Sequence, residues 1–289
     1  MRFTSIGLVM LAAICWGVSG GIADILMTKG WGPLVVSLYG GAIGFLCFFP
    51  WFLFRFRQNW SFSPRLYIWS LLAGIGVAGN FIFYFLSIQV SSIAVAATLM
   101  YTAPVFVLLI SFLLRIERST WFKWGCIAAV LIGIILLTGA YNTESISVSF
   151  LGAAAGLAAG LSYVLFIFGF KNASSIGKPQ TTLTITFFVF CLTLSLFTKK
   201  DEAVSVLTSN DIGWFLLLGV LGVGIPFIFY VFGIYWTPPT TASMVAMVEP
   251  VTASLFGVLF IGDHLTSIQL LGMVLILVTI TVLSVNQAG

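Results

Sequence analysis

Apolar residues fill this chain in ten long stretches separated by short polar links, at roughly 6–28, 33–54, 66–88, 92–114, 122–141, 150–171, 181–198, 212–234, 240–261 and 267–286. A helix rises about 1.5 Å per residue, so runs of about 20 apolar residues match a hydrocarbon core about 30 Å thick. The pattern predicts an all-α integral membrane protein with ten transmembrane helices and no soluble domain. The first run continues to about Thr28 through Gly20-Gly21 and Asp24, and reads as a retained span rather than a cleaved signal.

Composition agrees. The 289 residues are 60% hydrophobic and only 7% charged, against about 25% charged in a soluble domain. The net charge of +4 is small and dispersed, which argues against a nucleic-acid partner; the partners expected are membrane lipids and a small-molecule substrate. Cys15, Cys47, Cys126 and Cys191 all sit inside apolar runs without CxxC or metal-ligand spacing. The single His264 cannot build a zinc site. No metal, cofactor or catalytic triad is expected, and no Walker motif is present to couple ATP.

Charge decides orientation. With the N-terminus in the cytoplasm, Arg2, Arg55, Arg57, Arg65, Arg115, Arg118, Lys123, Lys171 and Lys178 fall on the cytoplasmic side. Only Lys29, Lys199 and Lys200 fall opposite. The positive-inside rule selects this arrangement, and ten spans return the C-terminus to the cytoplasm of a bacterial-type inner membrane. Trp31, Trp51, Trp60, Trp121, Trp124 and Trp214 lie near span ends, as an interfacial aromatic belt requires.

The chain also repeats itself. Phe81-Ile82-Phe83-Tyr84 returns 146 residues later as Phe227-Ile228-Phe229-Tyr230, and Pro104-Val105 returns as Pro250-Val251. Without gaps, 18 of 67 positions from 71 to 137 are identical to their counterparts. Residues 1–141 and 150–289 thus form two five-helix units. An odd number of spans makes the second copy enter the membrane from the other side, giving inverted repeats and alternating access.

Particular motifs carry a family likeness. Cys15-Trp16-Gly17 lies in the first span, Tyr101-Thr102-Ala103-Pro104 in the fourth, and Ala242 to Glu249-Pro250 in the ninth. Leu259-Phe260-Ile261-Gly262-Asp263 and Gln269-Leu270-Leu271-Gly272 follow. With these the chain resembles the drug/metabolite transporter superfamily, specifically the EamA family, over nearly its whole length. The resemblance implies ten helices, cytoplasmic termini, and a central cavity lined mainly by spans one, three, four, six, eight and nine. It also implies export of amino acids or other small metabolites as the commonest activity, with uptake and proton coupling in other members. Asp263 departs from the glutamate usual after that glycine, at the membrane edge, where little consequence is expected.

Two acids lie within spans. Glu249 shares a helical face with Ala242, Val245, Ala246, Thr252, Ala253 and Phe256, and should face the bundle interior as a proton-binding group, a counter-ion for a substrate amine, or a packing device beside Pro250. Asp24 shares a face with Gly17, Gly20 and Gly21, a strip that lets a helix or ligand approach. Its alternative is pairing with Lys29 or reaching interfacial water. Pro104 and Pro250 should kink their helices at matching depth and free the carbonyls of Met100 and Ala246. Trp16, Asn80, Tyr84, Tyr101, Tyr163 and Tyr230 are deep polar or aromatic candidates for substrate contact. Gly152, Gly156 and Gly160 read as a packing strip, Pro238-Pro239 as a turn, and Lys199 to Glu202 as a solvated loop without chemistry.

These features lead to a secondary transporter, not an enzyme, that exports amino acids or similar metabolites as a monomer or homodimer, with protons as the candidate coupling ion. The alternative is proton-coupled uptake of an organic cation such as a quaternary amine. An integral-membrane enzyme on lipid-linked substrates is a remote third, because the acids are scattered.

Overall fold

The structure, a computed structural model, describes residues 2–54, 56–59, 63–141 and 149–288. Arg55 and Trp60 lie outside them. Among the described residues every regular element is helical. The first half holds α1 (Arg2–Thr28), α2 (Pro33–Leu53), the short α3 (Phe56–Asn59), α4 (Pro64–Val90), α5 (Ile93–Met100), α6 (Ala103–Leu113) and α7 (Trp121–Thr138). The second holds α8 (Phe150–Ile176), α9 (Pro179–Ser195), the short α10 (Lys200–Val206), α11 (Ile212–Leu218), α12 (Ile225–Trp236), α13 (Pro239–Val245), α14 (Val248–Phe256) and α15 (Ser267–Ala288). π-Helical turns at Gly219–Gly224 and Gly257–Ile261 join α11 to α12 and extend α14. Nine helical segments among the described residues are long and apolar enough to cross a membrane, and α9 is a shorter tenth.

Helix starts and breaks follow the repeat. Pro33 and Pro179, at the 146-residue offset, each open a helix at its first turn, where the missing N–H costs nothing. The fourth and ninth spans are each broken at half depth, at Tyr101–Thr102 and at Ala246–Met247. Pro104 and Pro250 stand just after these breaks, so the proline pattern became interruptions rather than gentle kinks.

Small residues set the packing. α4 lies along α8, where a Cβ on Gly76 would come within 2.4 Å of the Phe166 backbone nitrogen. The Gly152, Gly156 and Gly160 strip seats the α4–α5 link and α5; Gly160 stands where a Cβ would be 3.1 Å from the Met100 carbonyl. Neutral hydroxyls fasten the same contact: Ser149 Oγ donates to the Val90 carbonyl at 2.8 Å, and Ser87 Oγ to that of Gly152 at 2.7 Å.

The two ends of the bundle are fastened by different chemistry. At one, called the Lys29 end, Asp211 pairs with Lys29 and accepts the Trp31 Nε1–H at 3.0 Å. Glu202 Oε1 accepts the Gly32 N–H at 2.5 Å, and Tyr39 donates its hydroxyl to the Ala203 carbonyl at 2.6 Å. Two expectations change here. Lys29 pairs with Asp211, not Asp24, and the Lys199–Glu202 stretch is a helix turn engaged with α2 rather than a free loop.

The Lys29 hydrogen bond, reinforced by Trp31, holds the Asp211 carboxyl below its ordinary value. A carboxyl lowered in the folded state contributes above its unfolded pKa of about 4 and loses that contribution as pH falls through the folded value. Acidification below about pH 4 is therefore expected to release this clasp and alter Trp31 fluorescence. Asp211→Asn should show the released signal already at neutral pH. A wild-type signal unchanged down to pH 3 would count against the clasp.

Candidate functional site: a mid-depth cavity beside Glu249

A cavity of about 180 Å³ lies midway along the bundle, between α1, α2, α4, α8, α9, the α11–α12 segment and α14. Glu249, Trp16, Asn80 and Tyr163 all line it, and its remaining wall is largely Phe81, Phe166, Phe187, Phe190 and Phe227 with Ser19 and Ser37. Its lining residues on α1, α2 and α11 extend from Trp16 to Ala23, Val36 to Gly40 and Leu218, toward the Lys29 end.

The helix break places Glu249. The Met247 N–H bonds to the Met244 carbonyl at 3.0 Å and the Glu249 N–H to that of Ala246 at 2.9 Å, closing one tight turn. Glu249 then falls in the first turn of α14, where unpaired amides of a new helix favour negative charge. The Ala246 carbonyl is thereby satisfied, contrary to the expectation that Pro250 would free it. At the equivalent turn of α6 stands Ala103, so only one of the two broken helices carries an acid.

α1 closes against this turn. A Cβ on Gly17 would stand 1.7 Å from Thr252 Oγ1 and 2.5 Å from the Glu249 carbonyl oxygen. Gly21 meets Phe256 in the same way. The neighbour anticipated by the glycine strip is therefore α14. Among the described residues the Glu249 carboxylate has no ion pair and no hydrogen bond. Tyr84, Tyr101 and Tyr163 lie within electrostatic range of it.

Polar groups in the wall differ in kind. Asn80 Nδ2 donates to the Ala159 carbonyl at 3.1 Å, which leaves its amide oxygen as an acceptor. Trp16 Nε1 and the Tyr163 hydroxyl are buried donors without partners among the described residues. Among the described residues charge in this wall comes from Glu249 alone, and no lysine, arginine or histidine of theirs lines it.

Below the cavity, toward the opposite end, aromatic rings close the bundle. Tyr230 is 1% exposed. It packs at 5.3 Å on Trp16, at 5.0 Å stacked on Phe166 and at 5.7 Å on Phe170, while Phe187 meets Phe227 at 4.7 Å. Beyond this plug, Lys171 Nζ on α8 donates to the carbonyls of Ile234, Tyr235 and Thr237 at 2.8–2.9 Å, capping α12. This is the Lys171 end.

The residues singled out in the sequence take different places around this cavity. Asp24 is exposed and does not line the cavity. Tyr84 and Tyr101 flank Glu249 without reaching the wall, and Tyr230 belongs to the plug. The wall draws on spans two and seven, through Ser37, Phe187 and Phe190, and not on span four. Hydropathy alone does not distinguish a wall phenylalanine from one that faces lipid. The repeated Phe-Ile-Phe-Tyr was the one signal that marked any of them, since Phe81 and Phe227 open its two copies.

A model of the EamA-like transporter family matches the chain twice, over residues 3–139 and 150–285. The chain belongs to this family. It is a multi-pass membrane protein of the EamA type. An uncharacterized transporter of Archaeoglobus fulgidus is 30% identical over 200 residues, 67% of this chain and 68% of that one. The threonine/homoserine exporter RhtA of Escherichia coli K12 is 27% identical over 92% of this chain and 85% of its own. The uncharacterized transporter YwfM of Bacillus subtilis is 24% identical over 96% and 92%. A solved crystal structure shares the EamA chain's fold with a TM-score of 0.73, at 18% identity, over 98% of this chain and 97% of that one.

Proposed function

We propose that this EamA transporter exports small amino compounds by alternating access, with Glu249 as the group that binds the amine or, in its absence, a proton. The observation that carries this reading is the position of Glu249: unpaired, in the first turn of a broken helix, in the wall of a mid-depth cavity. An isolated carboxylate at membrane depth is costly, and a proton or an ammonium group relieves that cost. The N- and C-termini are assigned to the cytoplasm from the positive-inside count, so the cavity, which extends toward the Lys29 end, faces outward here. Residues 1–141 and 150–289 are the two inverted units that exchange conformations.

The wall also bears on the substrate. The Trp16 and Tyr163 donors can receive a carboxylate, while Glu249 and the Asn80 oxygen can receive an ammonium group. That set suits an amino acid. The phenyl rings that make up most of the wall favour an apolar or aromatic side chain over a hydroxylated one, because burying the larger apolar surface contributes more. The same aromatic faces, with no cation in the wall among the described residues, support organic-cation transport as the second reading.

The test is flux in proteoliposomes with labelled amino acids and quaternary amines, with and without a pH gradient. Leucine or phenylalanine is expected to compete at least tenfold better than threonine, as burial of about two further methylene groups would give. Preference for a quaternary amine over every amino acid would replace the first reading by the second. No flux of any member of the panel would reject both.

A further inference from the structure

Glu117 and Asp263 occupy equivalent places in the two repeats, and their surroundings differ in a way that points to a role. Each follows the C-terminus of a broken span. The N–H groups of Ile116 and Glu117 both bond to the Ser111 carbonyl, at 2.8 and 3.2 Å. In the second half the N–H groups of Gly262 and Asp263 both bond to the Gly257 carbonyl. The first turn is strained: Arg115 has φ of 57°, a left-handed conformation that a non-glycine residue adopts at a cost. The second uses Gly262, φ 88°, for the same purpose.

The acids so presented do different things. Glu117 has 7% of its side chain exposed; its Oε1 accepts the Thr240 N–H at 3.0 Å, and its Oε2 accepts Lys123 Nζ at 2.5 Å. Thr240 lies in the first turn of α13, the helix that leads into the Glu249 break. Asp263 is exposed and has no ion pair or side-chain hydrogen bond among the described residues. The residue equivalent to Thr240 is Ala94, in the first turn of α5. There a side chain caps only the Val95 N–H, through Ser92. Glu117 is at the Lys171 end, which is closed. Asp263 is at the Lys29 end, toward which the cavity extends.

We infer that Glu117 and Asp263 are alternating positioning residues: Glu117 holds α13 while the Lys171 end is closed, and Asp263 takes the α5 N-terminus at Ala94 when the Lys29 end closes. This rests on the alternating-access reading proposed above. Inverted repeats that exchange conformations must exchange the contacts of equivalent residues. The acid engaged in one state is therefore the acid released in the other. Lys171 makes the arrangement asymmetric, since its equivalent, Ile25, can donate nothing to the end of α4.

The test is the conformational distribution of the full-length protein in nanodiscs without substrate. Cys15, Cys47, Cys126 and Cys191 are replaced by alanine. Spin-label pairs at Arg118 and Tyr235 report the Lys171 end; pairs at Ile93 and His264 report the Lys29 end. Glu117→Ala is expected to shift the ratio of Lys171-closed to Lys29-closed molecules about tenfold toward the latter, as loss of one charge-assisted bond would. Asp263→Ala should shift it about tenfold the other way, and Asp263→Glu should restore the wild-type ratio. Asp263→Ala leaving the ratio unchanged overturns the inference while two populations still report alternating access. A single population in the wild type and every variant overturns both.

Discussion

Glu249→Gln is expected to abolish accumulation driven by a pH gradient. The amide keeps the size of the carboxyl and resembles its protonated form, but it can neither release a proton nor offer a full negative charge. No other described residue in the wall can take over, because among the described residues Glu249 is the only charged one that lines the cavity, and its counterpart in the first repeat is Ala103. Losing one partner of a desolvated charge pair costs about 2–5 kcal/mol, so a fall of about thirtyfold or more in the initial rate follows. Counterflow separates two roles. If Glu249 also holds the substrate amine, counterflow falls with accumulation; if it carries only protons, counterflow survives. Accumulation at the wild-type rate would remove Glu249 from the mechanism altogether.

Gly17→Ala is expected to be the most damaging single methyl addition near the site. The new Cβ would overlap Thr252 Oγ1 at 1.7 Å and press on the Glu249 carbonyl oxygen at 2.5 Å. A side chain can swing aside, but a backbone carbonyl in a helix cannot, so α1 must part from α14. Overpacking of this kind costs about 1–3 kcal/mol or more, and a loss of about 5–10 °C in thermal stability in detergent is the expected reading. Gly7→Ala, with nothing within 4 Å of its Cβ position, is the matched control and should stay within about 2 °C of wild type. Adding Thr252→Ala removes the worst overlap and should recover part of the loss. Equal melting of Gly17→Ala and Gly7→Ala would show that α1 is not seated on the Glu249 turn.

Helices and their breaks were legible in the chain because hydropathy and proline act locally. A run of apolar residues must be helical in lipid, and a proline within it must disturb a helix wherever the run is placed. Pro33 and Pro179 likewise start helices through properties of their own. What long-range packing decides could not be read. Lys29 has Asp24 five residues away, yet it pairs with Asp211. Lys171 counted only as a cytoplasmic charge, but its partners are three carbonyls at the end of α12. The phenylalanines pose the sharpest case. A phenyl ring facing lipid, core or cavity obeys the same periodicity, and only the neighbouring helices distinguish Phe187 from Phe188.

The solitary charge of the cavity wall has an electrical consequence. If one carboxylate serves proton and substrate in turn, each cycle exchanges one for the other. A monovalent organic cation traded for a proton moves no net charge, and membrane voltage leaves that cycle untouched. A zwitterionic amino acid traded for a proton carries one elementary charge across, worth about 2.3 kcal/mol per 100 mV. With Glu249 the one charged wall residue among those described, the proposed export of an amino acid against a proton would be electrogenic, and a cell's resting potential would join its pH gradient as a driving force.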